Sequence, residues 1–377
     1  MICLSKKSKI FLSVIIFIYF SFMIKINDLL IKLLLILSFI LINNFIYKFK
    51  NLNNLYSKLK SSIMINKSII NNNLLYKLNK NIINYNKKQI IYITFSLDNK
   101  LIYQTLVVIT SVLENNDNKK HYIIFYLFIS QDFKEKNIKI FESLKLKYQF
   151  EINYYYTPNI FINLRKWRNS YAFYYKLLIP ILIPNIKRII HLDGDTLVFK
   201  DLGELFNLPF NDNYYLGQPT SFFIYKNKKR NRTHINVGVL LINIEKIRKD
   251  NKDISMLKYL FKKKLTEQFV INKACSPKIG YLPFKYGIFA NIHNKNNKYQ
   301  NYLEMILDKK LNITEVIEAI KDPSIVHVVN CNPKYWYKRK KYLDIPRHEH
   351  CNKYQKIFYY YAKKTIYYKL IYNKFMK

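Results

Sequence analysis

Acidic residues are scarce in this chain: 24 Asp and Glu stand against 63 Lys and Arg, a formal net charge of +39. Such a chain suits anionic partners: nucleic acid, an anionic membrane or phosphorylated ligands. The lysines, however, are spread over the whole length, and no C₂H₂, basic-zipper or RNP signature is present, so nucleic acid is not an expected partner. Glycine is rare, six in all, and alanine is sparse, while Asn, Lys, Ile and Tyr abound. That pattern fits a coding bias toward A and T, which fills surfaces with Lys and Asn. The four cysteines include no CxxC pair, which argues against a structural zinc site. Cys331 and Cys351 either pair in an oxidising lumen or remain free thiols. No clean apolar stretch of about 20 residues exists, and no small-residue cleavage site follows the first apolar run.

What is present fits one large domain or two small ones: 377 residues, half of them hydrophobic. Ile10 to Ile24 is free of charge; Lys25, Asn27 and Asp28 interrupt it; Leu29 to Tyr47 is apolar again. Residues 1–47 read as a short cytosolic tail and membrane anchor. One span would place the bulk of the chain in a lumen, two would return it to the cytosol. Single-pass type II anchoring, facing the Golgi or ER lumen in a eukaryotic cell, is the expectation. Residues 48–88 read as an Asn- and Lys-rich stem. Asn66, Asn231 and Asn312 begin glycosylation sequons, which chance also supplies in so Asn-rich a chain.

Globular patterning starts near Gln89. Strand-like runs at Ile90–Phe95, Tyr122–Ile129 and Phe150–Tyr156 alternate with helical spacing over Leu101–Leu113 and Gln131–Lys147, the order of a parallel sheet with helices on both faces. A helix over Ser170–Leu178, ended by Pro180 and Pro184, precedes an apolar strand, Ile189–Leu192, that runs into Asp193-Gly194-Asp195. Strand side chains alternate, so the two aspartates share a ligand only if the backbone bends between them, which Gly194 permits. Paired carboxylates at the C-terminal end of a buried strand can seat a divalent cation, and that cation a diphosphate. Downstream come a short strand at Tyr214–Gly217, a basic loop over Ser221–Thr233, a strand at Ile235–Asn243 and a helix over Ile254–Lys273. Mixed strand and turn at Lys278–Phe289, a helix over Asn312–Ile320 and a strand at Ser324–Val329 follow. Residues 346–377 carry Tyr and Lys on helical spacing, suited to a packed helix or to a membrane surface.

Together, Asp193-Gly194-Asp195, Asn236 to Asn243, Glu267 to Asn272, Ile325-Val326-His327 and Lys334-Tyr335-Trp336 resemble glycosyltransferase family 8, the family of glycogenin and the bacterial lipopolysaccharide galactosyl- and glucosyltransferases. The match covers roughly residues 90–340. The resemblance implies an α/β GT-A fold, a Rossmann-like mixed sheet flanked by helices, occupying 89–345. It also implies a UDP-sugar donor, a Mn2+ (or Mg2+) cofactor and transfer of a hexose to a glycan, glycolipid or glycoprotein acceptor with retention. By the same resemblance Asp193, Asp195 and His327 are the metal ligands. Asp98, Lys176, Asn236, Gly238 and Lys334 contact the donor, and Glu267 and Gln268 lie at the reacting face of the sugar. The family writes Asp where this chain has Glu267 and Gly where it has Asn330, and an Asp usual near Thr220 or Ser221 has no counterpart. A catalytically inactive nucleotide-sugar-binding protein, or a basic scaffold, is the alternative reading.

Overall fold

A computed structural model of the chain describes residues 88–183, 186–219, 234–290, 313–329, 331, 334–338 and 349–376. Contacts divide the chain into Met1–Ser61 and Ser62–Lys377, and every described residue belongs to the second unit. The expected anchor, the stem as far as residue 87, the basic loop, the three sequon asparagines, Thr220, Ser221 and Asn330 lie outside the described residues. Among the described residues no helix is long and apolar enough to cross a membrane.

The first strand, β1 (Gln89–Leu97), buries Ile91, Ile93, Phe95 and Leu97, the alternate positions of one face. Helix α1 (Ile102–Glu114) follows, then β2 (His121–Ile129), α2 (Glu135–Glu142) and β3 (Glu151–Tyr156). The strands pair in parallel, β1 with both β2 and the later β4 (Arg188–Leu192), and β2 with β3. After β4 come β5 (Thr196–Val198), β6 (Tyr215–Pro219), β7 (Ile235–Asn243), β8 (Ile279–Tyr281), β9 (Tyr286–Phe289) and β10 (Ile325–His327). The described strands form a seven-stranded mixed sheet, β3-β2-β1-β4-β7-β6-β8, and a three-stranded one, β5-β10-β9. Chain order reverses around β1 and β4, and such a switch point opens a cleft at the carboxyl ends of the strands.

Several helices differ from their sequence expectation for local reasons. The helix expected over Gln131–Lys147 is only Glu135–Glu142, continued by a 3₁₀ turn at Ser143–Leu146. The segment before β4 is a 3₁₀ helix, Ala172–Leu178, and Pro180 does not end it. Pro180 instead sits in the first turn of the next helix, α3 (Ile179–Leu182), where a missing N–H costs nothing. A short helix, α4 (Gly203–Asn207), follows β5, and α5 (Ile244–Lys249) follows β7. The helix expected over Ile254–Lys273 is two, α6 (Lys252–Lys263) and α7 (Glu267–Ala274), because Lys264 turns left-handed at φ 50°. That break makes Glu267 the first residue of a helix rather than a mid-helix one.

After α8 (Ile313–Lys321), the C-terminal residues form α9 (Glu349–Ala362) and α10 (Tyr368–Met376). Both pack into the same core as β1 and α1: Tyr354, Phe358 and Ile371 are buried there, and the Tyr361 hydroxyl donates to the Val198 carbonyl at 3.2 Å. Cys331 and Cys351 are disulfide-bonded, Cα atoms 6.0 Å apart, and Cys275 is a buried free thiol.

Candidate active site

The Asp-Gly-Asp turn is where the chain leaves one sheet for the other. Asp193 follows the last residue of β4 in the large sheet, and its N–H donates to the Gly238 carbonyl of β7 at 2.8 Å. Asp195 precedes β5 in the small sheet, and its carbonyl accepts the Val328 N–H at 2.9 Å. Antiparallel pairing sets Thr196 opposite His327, which brings the imidazole beside the turn. The result is a cluster in which one ligand atom each from Asp193, Asp195 and His327 lies within 4.8 Å of the others. Gly194 serves the bend in a different way from that expected. Its φ is not left-handed; a Cβ there would meet the Thr105 hydroxyl of α1 at 3.3 Å, so the glycine makes room for the helix.

Each aspartate is held by two partners. Asp193 Oδ1 accepts from Lys176 Nζ at 2.9 Å and lies 3.1 Å from His191 Nε2. Asp195 Oδ1 lies 3.1 Å from His327 Nε2, and its Oδ2 accepts from Lys334 Nζ. Burial alone would raise both carboxyls, but Lys176 and His191 more than offset it at Asp193, and Lys334 and His327 at Asp195. Both are held well below the ordinary carboxylate range. His191 was read as part of an apolar run, and the structure adds it to the site. It is fully buried, and burial together with Lys176 pushes its pKa down to about 4, so it is a neutral donor at neutral pH. Its spacing of two residues from Asp193 on one strand was the signal that could have found it.

The other expected residues differ in what they touch. Lys176 is buried, and its ammonium donates to Asp193 Oδ1 and to the Val237 carbonyl, each at 2.9 Å. Gly238 supports the histidine directly, since a Cβ there would lie 2.1 Å from His327 Cε1, and its N–H donates to Asn236 Oδ1 at 2.8 Å. Asn236 Nδ2 in turn donates to Gln268 Oε1 at 3.4 Å, so Asn236, Gly238, Gln268 and His327 form one connected set. Glu267 is buried; burial and the nearby Asp193 outweigh Lys176 and push its carboxyl up to about 7. Asp98 stands at the end of β1 and accepts the Lys100 N–H at 2.8 Å in a local turn. Trp336 is packing: it is buried against Phe358 and Phe375.

Residues 92–340 match the family model described as "Glycosyl transferase family 8". A Haemophilus influenzae protein named as a candidate glycosyltransferase is 29% identical over 274 residues, covering 68% of this chain and 76% of that protein. Among solved structures, the bifunctional glycosyltransferase WbbM in apo form aligns with a TM-score of 0.58 at 16% identity over 76% of this chain. The chain spans about half of WbbM, 51% of its length. The galactosyltransferase LgtC, solved with donor and acceptor sugar analogues, aligns with a TM-score of 0.54 at 16% identity, over 73% of this chain and 96% of LgtC. At these identities the two structures speak for the mixed α/β fold alone.

Proposed function

The chain belongs to glycosyl transferase family 8, and from that premise we propose that it moves a hexose from UDP-glucose or UDP-galactose to a hydroxyl of a glycan, lipid or protein, with retention at the anomeric carbon. The observation that carries the reading is the convergence of Asp193, Asp195 and His327 from two sheets to within 4.8 Å. Two ionised carboxylates and an imidazole are a mixed oxygen and nitrogen donor set that suits Mn2+, with Mg2+ as a poorer fit. When bound there, a divalent cation would neutralise charge on the departing diphosphate.

The chain's own residues divide the remaining work. Lys176 and His191 fix Asp193 through one oxygen, Oδ1. Lys334, bound to Asp195 through a partly exposed side chain, is the cation placed to transfer to a diphosphate oxygen, where fixed charge stabilises the leaving group. Glu267, with its carboxyl raised to about 7, is only about half ionised at neutral pH. It suits a role in holding the donor sugar alongside Gln268, with no covalent glycosyl-enzyme step. Asp98, at the mouth of β1, is left for the nucleoside side of the donor.

The test is UDP release from a panel of UDP-sugars with Mn2+, with Mg2+ and with a chelator. Asp195→Asn is expected to lose turnover by at least about a hundredfold, as does removal of other preorganised charge-stabilising groups. Saturable UDP-sugar binding without turnover would instead support an inactive nucleotide-sugar-binding protein.

A further inference from the structure

Lysines spread everywhere by composition carry little information, but arginine and tryptophan are scarce: eight Arg among 63 basic residues, and two Trp. Arg165, Trp167 and Arg168 stand together and are exposed, Trp167 at 57%, whereas Trp336 is buried. They occupy a hairpin. Trp167 and Ser170 exchange backbone hydrogen bonds at 3.0 and 2.9 Å, and Arg168 and Asn169 between them turn left-handed at φ 49° and 59°. Such a two-residue turn favours glycine and asparagine, so Arg168 is held there against backbone strain. No Asp or Glu stands between Glu151 and Asp193, and among the described residues neither arginine has an acidic partner. The hairpin is tied to both ends of the transfer site. Lys100 Nζ donates to the Asn169 carbonyl at 3.0 Å, beside the Asp98 turn. The Tyr174 hydroxyl lies 3.2 Å from the carbonyls of Arg165 and Leu265, and Leu265 is two residues before Glu267. Lys262 and Lys263, both exposed, close α6 just ahead of Leu265.

Resting on the transferase reading above, we propose that the acceptor is an anionic glycan, one that carries phosphate or carboxylate groups. Arg165 and Arg168 bind those groups, and Trp167 packs on a sugar ring. The donor's diphosphate is already matched by the cation site and Lys334, which leaves this second cationic group for the other substrate. A guanidinium fork meets phosphate or carboxylate through two parallel hydrogen bonds, which an ammonium cannot do. Tryptophan and arginine dominate the energetics of binding surfaces, and a preformed turn lowers the cost of ordering them. RNA would also meet the charge, but single strands are bound along a groove by successive stacking platforms, and this turn offers one. A glycan is the better fit.

The test is titration calorimetry of the full-length chain with three polymers on one backbone: dextran, carboxymethyl dextran and dextran phosphate, with no UDP-sugar present. A charged polymer is expected to bind more tightly than dextran, less so at high salt, and the tighter of the two names the anionic group. Arg165→Gln combined with Arg168→Gln should weaken that binding by about tenfold or more, and Trp167→Ala should weaken it with the charge intact. Lys119→Gln with Lys120→Gln removes the same charge at the amino end of β2, the opposite end of the sheet, and should change affinity by less than about twofold. Equal affinity for dextran, a hairpin variant indistinguishable from the native chain, an equal loss in the remote variant, or an oligoribonucleotide bound more tightly through the same residues would each overturn the proposal. Titration of UDP with Mn2+ in the same samples keeps the two readings apart. A chain that binds UDP but no charged dextran overturns the anionic acceptor and leaves the transfer reading standing; one that binds charged dextran but no UDP overturns the transfer reading.

Discussion

At the scale of single residues, the site depends on what Gly238 does not have. A methyl group there would stand 2.1 Å from the His327 ring, closer than any relaxed contact, so Gly238→Ala must push the imidazole off Asp195. Metal affinity, read by isothermal titration, is expected to fall about 10- to 100-fold, as when other supports of a ligating histidine are removed. Glu267 gives a pH signature. Its carboxyl titrates near 7 in the folded chain against an ordinary value of 4.5, so between those pH values the folded state holds a proton that the unfolded state has lost. Stability therefore falls as pH rises from about 4.5 toward about 7, and the loss is complete above both values. Glu267→Gln should flatten that fall in a urea series and be relatively more stable at alkaline pH. At this scale the grouping of the two aspartates with His327 was legible because their types and order are themselves the signal. What no local pattern shows is that the Lys176 ammonium bonds Asp193 and the Val237 carbonyl.

At the scale of elements, the break between α6 and α7 aims Glu267 and Gln268. Lys264 closes α6 in the left-handed region, where a Cβ is strained. Lys264→Gly is expected to raise stability by about 0.5–1 kcal/mol, read from the urea midpoint, without altering UDP-sugar turnover. The break escaped sequence reading because apolar spacing runs on across it, through Leu260 and Val270, and only the backbone records the change of direction. Pro180 misled in the opposite way: proline breaks a helix interior but starts a helix well, and the sequence does not say which turn it occupies. The strands were read more faithfully. Each short apolar run became a strand within a residue or two, because buried parallel strands need such runs whatever surrounds them. The pairing of β5 with β10, which delivers His327, joins residues far apart in sequence, and no local pattern records it.

At the scale of the whole molecule, the C-terminal helices pack into the same hydrophobic core as β1 and α1. The Cys331–Cys351 bond closes a loop of 20 residues and ties α9 to the segment that carries Lys334. Reduction, or Cys351→Ser, should lower stability by about 3 kcal/mol, checked by urea titration with and without reductant. It should also loosen Lys334 and so raise KM for the donor more than it lowers kcat. The sequence offered that pair only as one of two possibilities, since a spacing does not show whether two thiols meet. The turn at Asp193-Gly194-Asp195 carries one more consequence, because its two carboxylates are rooted in different sheets. Whatever ion they share is a weld across the fold, absent from the unfolded chain, and mass action then makes the melting curve a titration of that ion. At a hundredfold excess over Kd the native state gains about 2.7 kcal/mol. The rise in Tm with each divalent ion would rank the ions without any sugar in the tube, and Asp195→Asn should leave Tm indifferent to all of them.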